Sequence, residues 1–220
     1  MAERAAEPEP GRTATGLQVR LTACCFLRVS SPLTRIPYFC LMSAPALTFS
    51  PATEADLPAL HRLVNRAYRG EASEQGWTTE SHLLAGQRTD EADLREQLHA
   101  PGVTFLLART AADELVGSVF LQPQAADLYL GMLSVEPTRQ AQGIGRQLVA
   151  AAEEFARRQG CTGIRITVIS VRHELLAWYE RLGFRPTGAT VDFPTDTRFG
   201  IPRQTEPLVL LVLRKELLAV

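Results

Sequence analysis

The chain has 220 residues and a net charge of −1, with 45% hydrophobic and 21% charged residues; this is the balance of a globular protein with room for one core, and it excludes a disordered or fibrous chain. So even a charge also removes the broad basic surface by which a protein holds nucleic acid or an anionic membrane. Three of the four cysteines, Cys24, Cys25 and Cys40, lie near the start and Cys161 stands alone in the body, which makes neither a disulfide framework nor a metal-ligand spacing and fits a reducing cytoplasm.

The opening MAERAAEPEPGRTATG has no apolar period and reads as unstructured. The uncharged run between Arg20 and Arg28 falls far short of the roughly 20 apolar residues of a membrane span. Glu3, Glu7 and Glu9 stand where a signal peptide carries basic residues. Residues 1–44 are therefore read as an N-terminal extension, with Met42 as an alternative start, and residues 45–220 as the folded domain.

From Leu47 the pattern becomes regular. LTFS predicts a strand, and Thr53 is placed to cap a helix through Leu57, Leu60, Leu63, Val64 and Tyr68. A polar loop, GEASEQGWTTESHLLAGQRTDEADL, follows; its tail from Thr89 opens a second helix that Pro101 and Gly102 end. Two apolar runs, Val103 to Arg109 and Leu115 to Gln122, separated by AADE, predict a hairpin. DLYLGMLSV (Asp127 to Val135) predicts a strand, and Ile144 to Arg158 a helix with Ile144, Leu148, Ala151, Ala152 and Phe155 on one face. GIRITVI is a strand, Val171 to Leu182 a helix, and EPLVLLVLR (Glu206 to Arg214) a closing apolar strand after the loop PTDTRFGIPR. Strands and helices in this order predict a mixed α/β layer fold.

Gly143 and Gly145 fall at the turn from the Asp127–Val135 strand into its helix. A helix N-terminus offers unpaired N–H groups and partial positive charge to an anion, and glycine lets backbone approach a ligand closely. Glycine before a helix is also common for steric reasons, so the pair alone is a weak signal. A dinucleotide-binding reading lacks its third glycine and the early βαβ position; a P-loop lacks the Lys-Ser or Lys-Thr that must follow.

Taken together, VEP ending the strand, QAQGIG (Gln140 to Gly145) opening the helix and WYERLGF (Trp178 to Phe184) some forty residues on resemble the GNAT superfamily of N-acetyltransferases. The resemblance covers roughly Leu47 to Leu213 and implies a mixed, largely antiparallel central sheet flanked by about four helices. It implies acetyl-CoA as the acetyl donor, with its pyrophosphate on the amides of Gln140, Ala141, Gln142, Gly143, Ile144, Gly145 and Arg146, and its pantetheine arm along Leu133, Ser134 and Val135. Ala141 stands where many members carry glycine, a departure that is tolerable if Ala141 keeps negative φ. Arg172, seven residues before Tyr179, replaces an asparagine common in relatives.

Acetyl transfer to an amine requires a free amine, support for an oxyanion and a proton for the departing thiolate. By resemblance Tyr179 supplies that proton, and a backbone N–H near Leu133 supports the oxyanion. Otherwise Tyr179 is a packing residue of an amphipathic helix. The glutamate that many members carry on the central strand is missing, since only Asp127 lies there, at its outer end. Glu80, and secondarily Glu71, are the candidate bases; each alone reads as a solvated surface acid. GWTTE…GQRT and the later RFGIP resemble one branch of the superfamily and nominate Trp77, Arg88, Arg198 and Phe199 for the acceptor, with the arginines suited to a carboxylate or phosphate. Cys161 reads as core, and His173 as solvent-facing.

The sequence thus predicts a cytoplasmic N-acetyltransferase, a monomer or homodimer, acting on a primary amine of a small molecule rather than of a protein, with no metal, nucleic acid or membrane. The alternative is a non-catalytic acyl-CoA-binding sensor, for which the missing strand glutamate argues.

Overall fold

The structure, a computed structural model, describes residues 46–194, 198, 200–205 and 207–218. The chain divides into two units, Met1–Leu41 and Met42–Val220. Every described residue belongs to the second, so the expected N-terminal extension lies outside them, as does Phe199.

Strand β1 (Thr48–Pro51) leads through a 3-10 turn, Glu54–Asp56, into helix α1 (Leu57–Tyr68). Thr53 holds this entry, its amide and hydroxyl both donating to Asp56 Oδ2 at 2.8 Å. Next come a short helix α2 (Gly70–Ser73), a two-residue strand β2 (Leu84–Ala85) and helix α3 (Glu91–His99). Strands β3 (Thr104–Arg109), β4 (Leu115–Gln124) and β5 (Asp127–Val135) form the meander that the apolar runs predict. They are followed by α4 (Ile144–Arg158), β6 (Gly163–Ile169), α5 (His173–Arg181), β7 (Arg185–Asp192), β8 (Ile201–Pro202) and β9 (Val209–Glu216).

Seven of these strands make one sheet in the order β1-β3-β4-β5-β6-β9-β7, antiparallel except where β5 meets β6. Strands β2 and β8 pair separately. Because the sheet is covered on both faces, its strands read as apolar runs rather than alternating ones. Alternate residues of β3 serve the two cores: Phe105 and Leu107 pack with Leu57, Leu60, Val64 and Leu94 of α1 and α3, whereas Leu106 and Ala108 pack with Ile144, Leu148 and Ala152 of α4. Among the described residues no helix is long and apolar enough to cross a membrane, and no group of three or more His, Cys, Asp or Glu could hold a metal ion.

Two irregularities position the site. Ser118 pairs with Ser134 and Phe120 with Gly131, so Met132 and Leu133 face Val119 alone across the β4–β5 ladder. This is a β-bulge, and Met132 carries it at φ 43°. The parallel pairing of β5 with β6 covers only Asp127–Tyr129 against Gly163–Arg165, while β6 stays paired with β9 as far as Ile169. Beyond Tyr129 and Arg165, β5 and β6 part and open a cleft in the middle of the sheet, and the bulge lies on the parted stretch of β5.

Candidate active site

Two cavities occupy this cleft. The larger, 710 Å³, is bounded by Leu133 and Val135 of β5, the turn from Gln140 to Arg146, and Leu175, Trp178 and Tyr179 of α5. Its floor is the start of α4. The helix's first backward hydrogen bond runs from Gln147 N–H to Gly143 O at 3.0 Å, which leaves the amides ahead of Gln147 as the orphan donors of a helix N-terminus. Ala141 at φ 61° and Gly143 at φ 84° are both left-handed, with Gln142 between them at negative φ. Alternating backbone of this kind curls amides toward one side as an anion nest. Ala141 therefore departs from the negative φ anticipated for it. It takes up the conformation that glycine adopts at no steric cost, while an L-residue loses about 1 kcal/mol there.

The orphan amides, the left-handed turn and the neighbouring Arg146, Arg172 and Arg181 suit an anionic ligand, and CoA is one. Of the ten positions assigned to the cofactor by resemblance, nine line this cavity; Ser134 does not, being fully buried with its hydroxyl donating to Met132 O at 3.0 Å.

The smaller cavity, 340 Å³, lies on the other side of Tyr68 and Tyr179 and is bounded by Tyr129 to Leu133, Ile166 to Ile169, Arg69, Glu80 and Arg88. Tyr68, Leu133, Arg172, Leu175 and Tyr179 face both cavities, so they mark the junction. Tyr179 is buried with its ring edge-on to Trp178 and Phe184, at 4.8 and 5.3 Å. Burial, reinforced by Tyr68, pushes its phenol far above the ordinary tyrosine value. Burial likewise raises Tyr68 to about 12, with the Glu80 charge adding to it. The Tyr68 hydroxyl donates to Leu133 O at 3.2 Å, on a residue of the bulge. Sequence reading missed Tyr68, which counts there only as the end of the α1 apolar stripe.

Glu80 is in the cleft but is not a free acid. Its side chain is 8% exposed, and its two oxygens accept from different arginines, Oε2 from Arg69 Nη1 at 2.5 Å and Oε1 from Arg172 Nη1 at 2.6 Å. Arg172 also donates to Thr78 Oγ1 at 2.7 Å. With both oxygens taken up by buried arginines, the geometry makes this residue the anchor of its loop. Arg172, noted in the sequence only as standing in place of an asparagine, is the other half of that anchor. Glu71 and His173 are exposed.

The residues nominated for the acceptor separate. Arg88 faces the smaller cavity, its amide donating to Asn65 Oδ1 at 2.7 Å and its guanidinium over the Tyr68 ring at 5.5 Å. Trp77 lines the larger cavity instead, 6.3 Å from Trp178. Arg198 pairs with Asp90 at 3.1 Å on the surface and borders neither cavity.

The profile of the Acetyltransferase (GNAT) family matches residues 58–184, more than half of the chain. N-acetyltransferase family 8 member 3 of Mus musculus is 30% identical over 121 residues, 52% of this chain and 53% of that protein. A mycothiol acetyltransferase of Saccharopolyspora erythraea is 30% identical over 151 residues, 67% of this chain and 44% of that protein. The chain spans about half the length of the curated relatives it matches. Among solved structures, the ribosomal-protein-S18-alanine N-acetyltransferase of Escherichia coli superposes with a TM-score of 0.59 at 16% identity, covering 80% of this chain and 96% of that one. YncA of Salmonella typhimurium, solved with acetyl-CoA, gives 0.57 at 18% identity over the same shares. At these identities the structural likeness shows the fold.

Two outcomes follow from this geometry. Ala141→Gly is expected to raise stability by about 0.5 kcal/mol, relief of left-handed strain being partly offset by the freer unfolded chain, and Ala141→Val to lower it; denaturant unfolding checks both. Glu80→Ala, by leaving two buried guanidiniums without their shared carboxylate, is expected to cost about 3–5 kcal/mol in the same assay.

Proposed function

The chain belongs to the GNAT acetyltransferase family, and on that premise we propose that it is an acetyl-CoA-dependent N-acetyltransferase whose acceptor is a small molecule carrying both a primary amine and a carboxylate. The observation that supports the acceptor class is the charge of the smaller cavity, where Arg69, Arg88 and Arg172 stand against the single carboxylate of Glu80 among the described lining residues. Glu80 is shared by Arg69 and Arg172, and among the described residues no carboxylate pairs with Arg88. A planar guanidinium fixed over an aromatic ring and facing a cavity suits a carboxylate through two parallel hydrogen bonds. A polycationic acceptor would meet like charge. The single cysteine of the folded part, Cys161, agrees with a cytoplasmic setting.

Acetyl-CoA, when bound, supplies an acetyl thioester. Amides at the start of α4 take the phosphate charge, and the Leu133 edge of β5 supports the acyl end. At the junction of the two cavities the amine nitrogen forms its new bond to the acetyl carbon as the carbon–sulfur bond breaks. The proton lost by the nitrogen leaves to solvent, Tyr179 gives its phenolic proton to the sulfur, and the phenolate takes a proton back from solvent before the next turnover. Because burial holds this phenol above its usual range, the acid form persists beyond the pH near 10 at which an ordinary tyrosine ionises.

Tyr179→Phe is expected to lower kcat by about 100-fold or more while calorimetry with acetyl-CoA shows unchanged affinity. In the parent enzyme, turnover should not decline on the alkaline side before pH ~10. Binding of acetyl-CoA with no turnover by the parent across an amino-acid panel would favour the sensor instead. Arg88→Ala is expected to raise the acceptor KM by about tenfold or more with the acetyl-CoA KM unchanged.

A further inference from the structure

Gln140 opens the QAQGIG turn, yet it has little left to give a phosphate. Its backbone N–H reaches Pro137 O at 3.3 Å. Its side chain points to the acceptor loop: Oε1 accepts from Trp77 N–H at 3.0 Å, and Nε2 donates to Val135 O at 3.3 Å. One amide side chain thus spans from the end of β5 to a loop sixty-three residues earlier.

The loop is shaped to receive it. A Cβ on Gly76 would stand 2.4 Å from Gln140 Oε1, 2.8 Å from Cδ and 2.9 Å from Nε2. Gly76 is not at positive φ, so the backbone conformation does not demand glycine there; the approach of Gln140 does. Immediately after it, Trp77 turns its ring toward Trp178, and Thr78 and Glu80 are held by Arg172. Residues 76–80 are therefore tied to the β5–α4 side of the cleft by Gln140 and to the β6–α5 side by Arg172.

We propose that Gln140 is a positioning residue of the acceptor loop: its side chain, seated on Gly76 and Trp77, is the strut that holds residues 76–80 across the cleft between the two cavities, and it is not a ligand of the donor's phosphates. The proposal rests on the assignment of the larger cavity to acetyl-CoA, and it separates two roles that the glycine-rich signature combines. Gly143 and its neighbours form the cradle, and Gln140 carries the roof.

Four full-length proteins test it: the parent, Gln140→Ala, Gly76→Ala and the double variant. CoA is titrated by calorimetry, and hydrogen exchange is followed in peptides covering residues 74–89. Each single variant is expected to raise exchange in that segment by about tenfold, the equivalent of losing one or two modest hydrogen bonds, while CoA affinity changes by less than about threefold. In the double variant the Gly76 methyl finds the space that Gln140 vacated, so exchange is no faster than in Gln140→Ala alone. Should Gln140→Ala weaken CoA by about tenfold or more and leave exchange in residues 74–89 unchanged, the side chain serves the phosphates and the proposal falls. Additive effects in the double variant would overturn it too. A parent that fails to bind CoA would remove the proposed function, whereas the exchange data would still decide whether the strut exists.

Discussion

Strands β5 and β6 stop pairing after Tyr129 and Arg165, and the site exists because of that break. Backbone groups in the interior of a sheet must find partners, so strands that part halfway leave an obligation in the middle of the molecule. The chain meets part of it internally. Tyr68 donates to Leu133 O, and the Ser134 hydroxyl donates to Met132 O. The bulge opposite Val119 shifts the register before β5 rejoins β4 at Ser134 and Val135, and α4 starts at Ile144, after the turn that follows that end. One discontinuity thus supplies an open strand edge, a helix N-terminus and a hydrophobic wall from α5 within a single cleft.

Charge organises the other half of the cleft. Two buried guanidiniums meeting one buried carboxylate are costly to desolvate and costly to separate, so Arg69, Glu80 and Arg172 behave as a clasp. Arg172 lies at the start of α5 and Glu80 in the loop after α2, ninety-two residues apart. Their pairing adds a polar hold to a glycine-bearing loop that is otherwise seated by Leu83 and Leu84 against Ile169 and Leu208. With Arg88 added, the clasp leaves the smaller cavity positive among its described lining residues, a property of the set that no single member displays.

What the sequence disclosed follows from how local each signal is. The period of Ile144 to Phe155, the apolar runs of β3 to β6 and β9, and the glycine turn are contained within a dozen residues each, and the structure has them close to where the pattern puts them, the largest displacement being that of β9, read from Glu206 and observed from Val209. Strand β7 was invisible because all eight of its residues are exposed, so no alternation marks it and only β9 holds it in place. Strands β2 and β8 are two residues long and define each other from opposite ends of the domain. Site residues divide the same way. Tyr179 and the α4 turn stand out by local motif, but the engagement of Glu80 depends on partners eleven and ninety-two residues away, and Trp77 faces the larger cavity because Gln140 holds its backbone. A lone acid in a polar loop gives no hint that two arginines will close on it.

Ala141 shows why a glycine-rich signature is a statement about backbone shape rather than about residue type. An L-residue held at φ 61° persists only where the surrounding structure over-determines it. Here it lies between Gln140, whose side chain is fixed at both ends, and Gly143, which must also be left-handed to start α4. Exposed as it is, Ala141 gains no core packing from that conformation. Its strain is matched instead by where the turn lies, its residues lining a cavity that three arginines border. A fold that retains about 1 kcal/mol of strain at an exposed turn, where a glycine would relieve it, has its benefit in what the turn presents. This conformational argument points to an anion in the larger cavity independently of any motif.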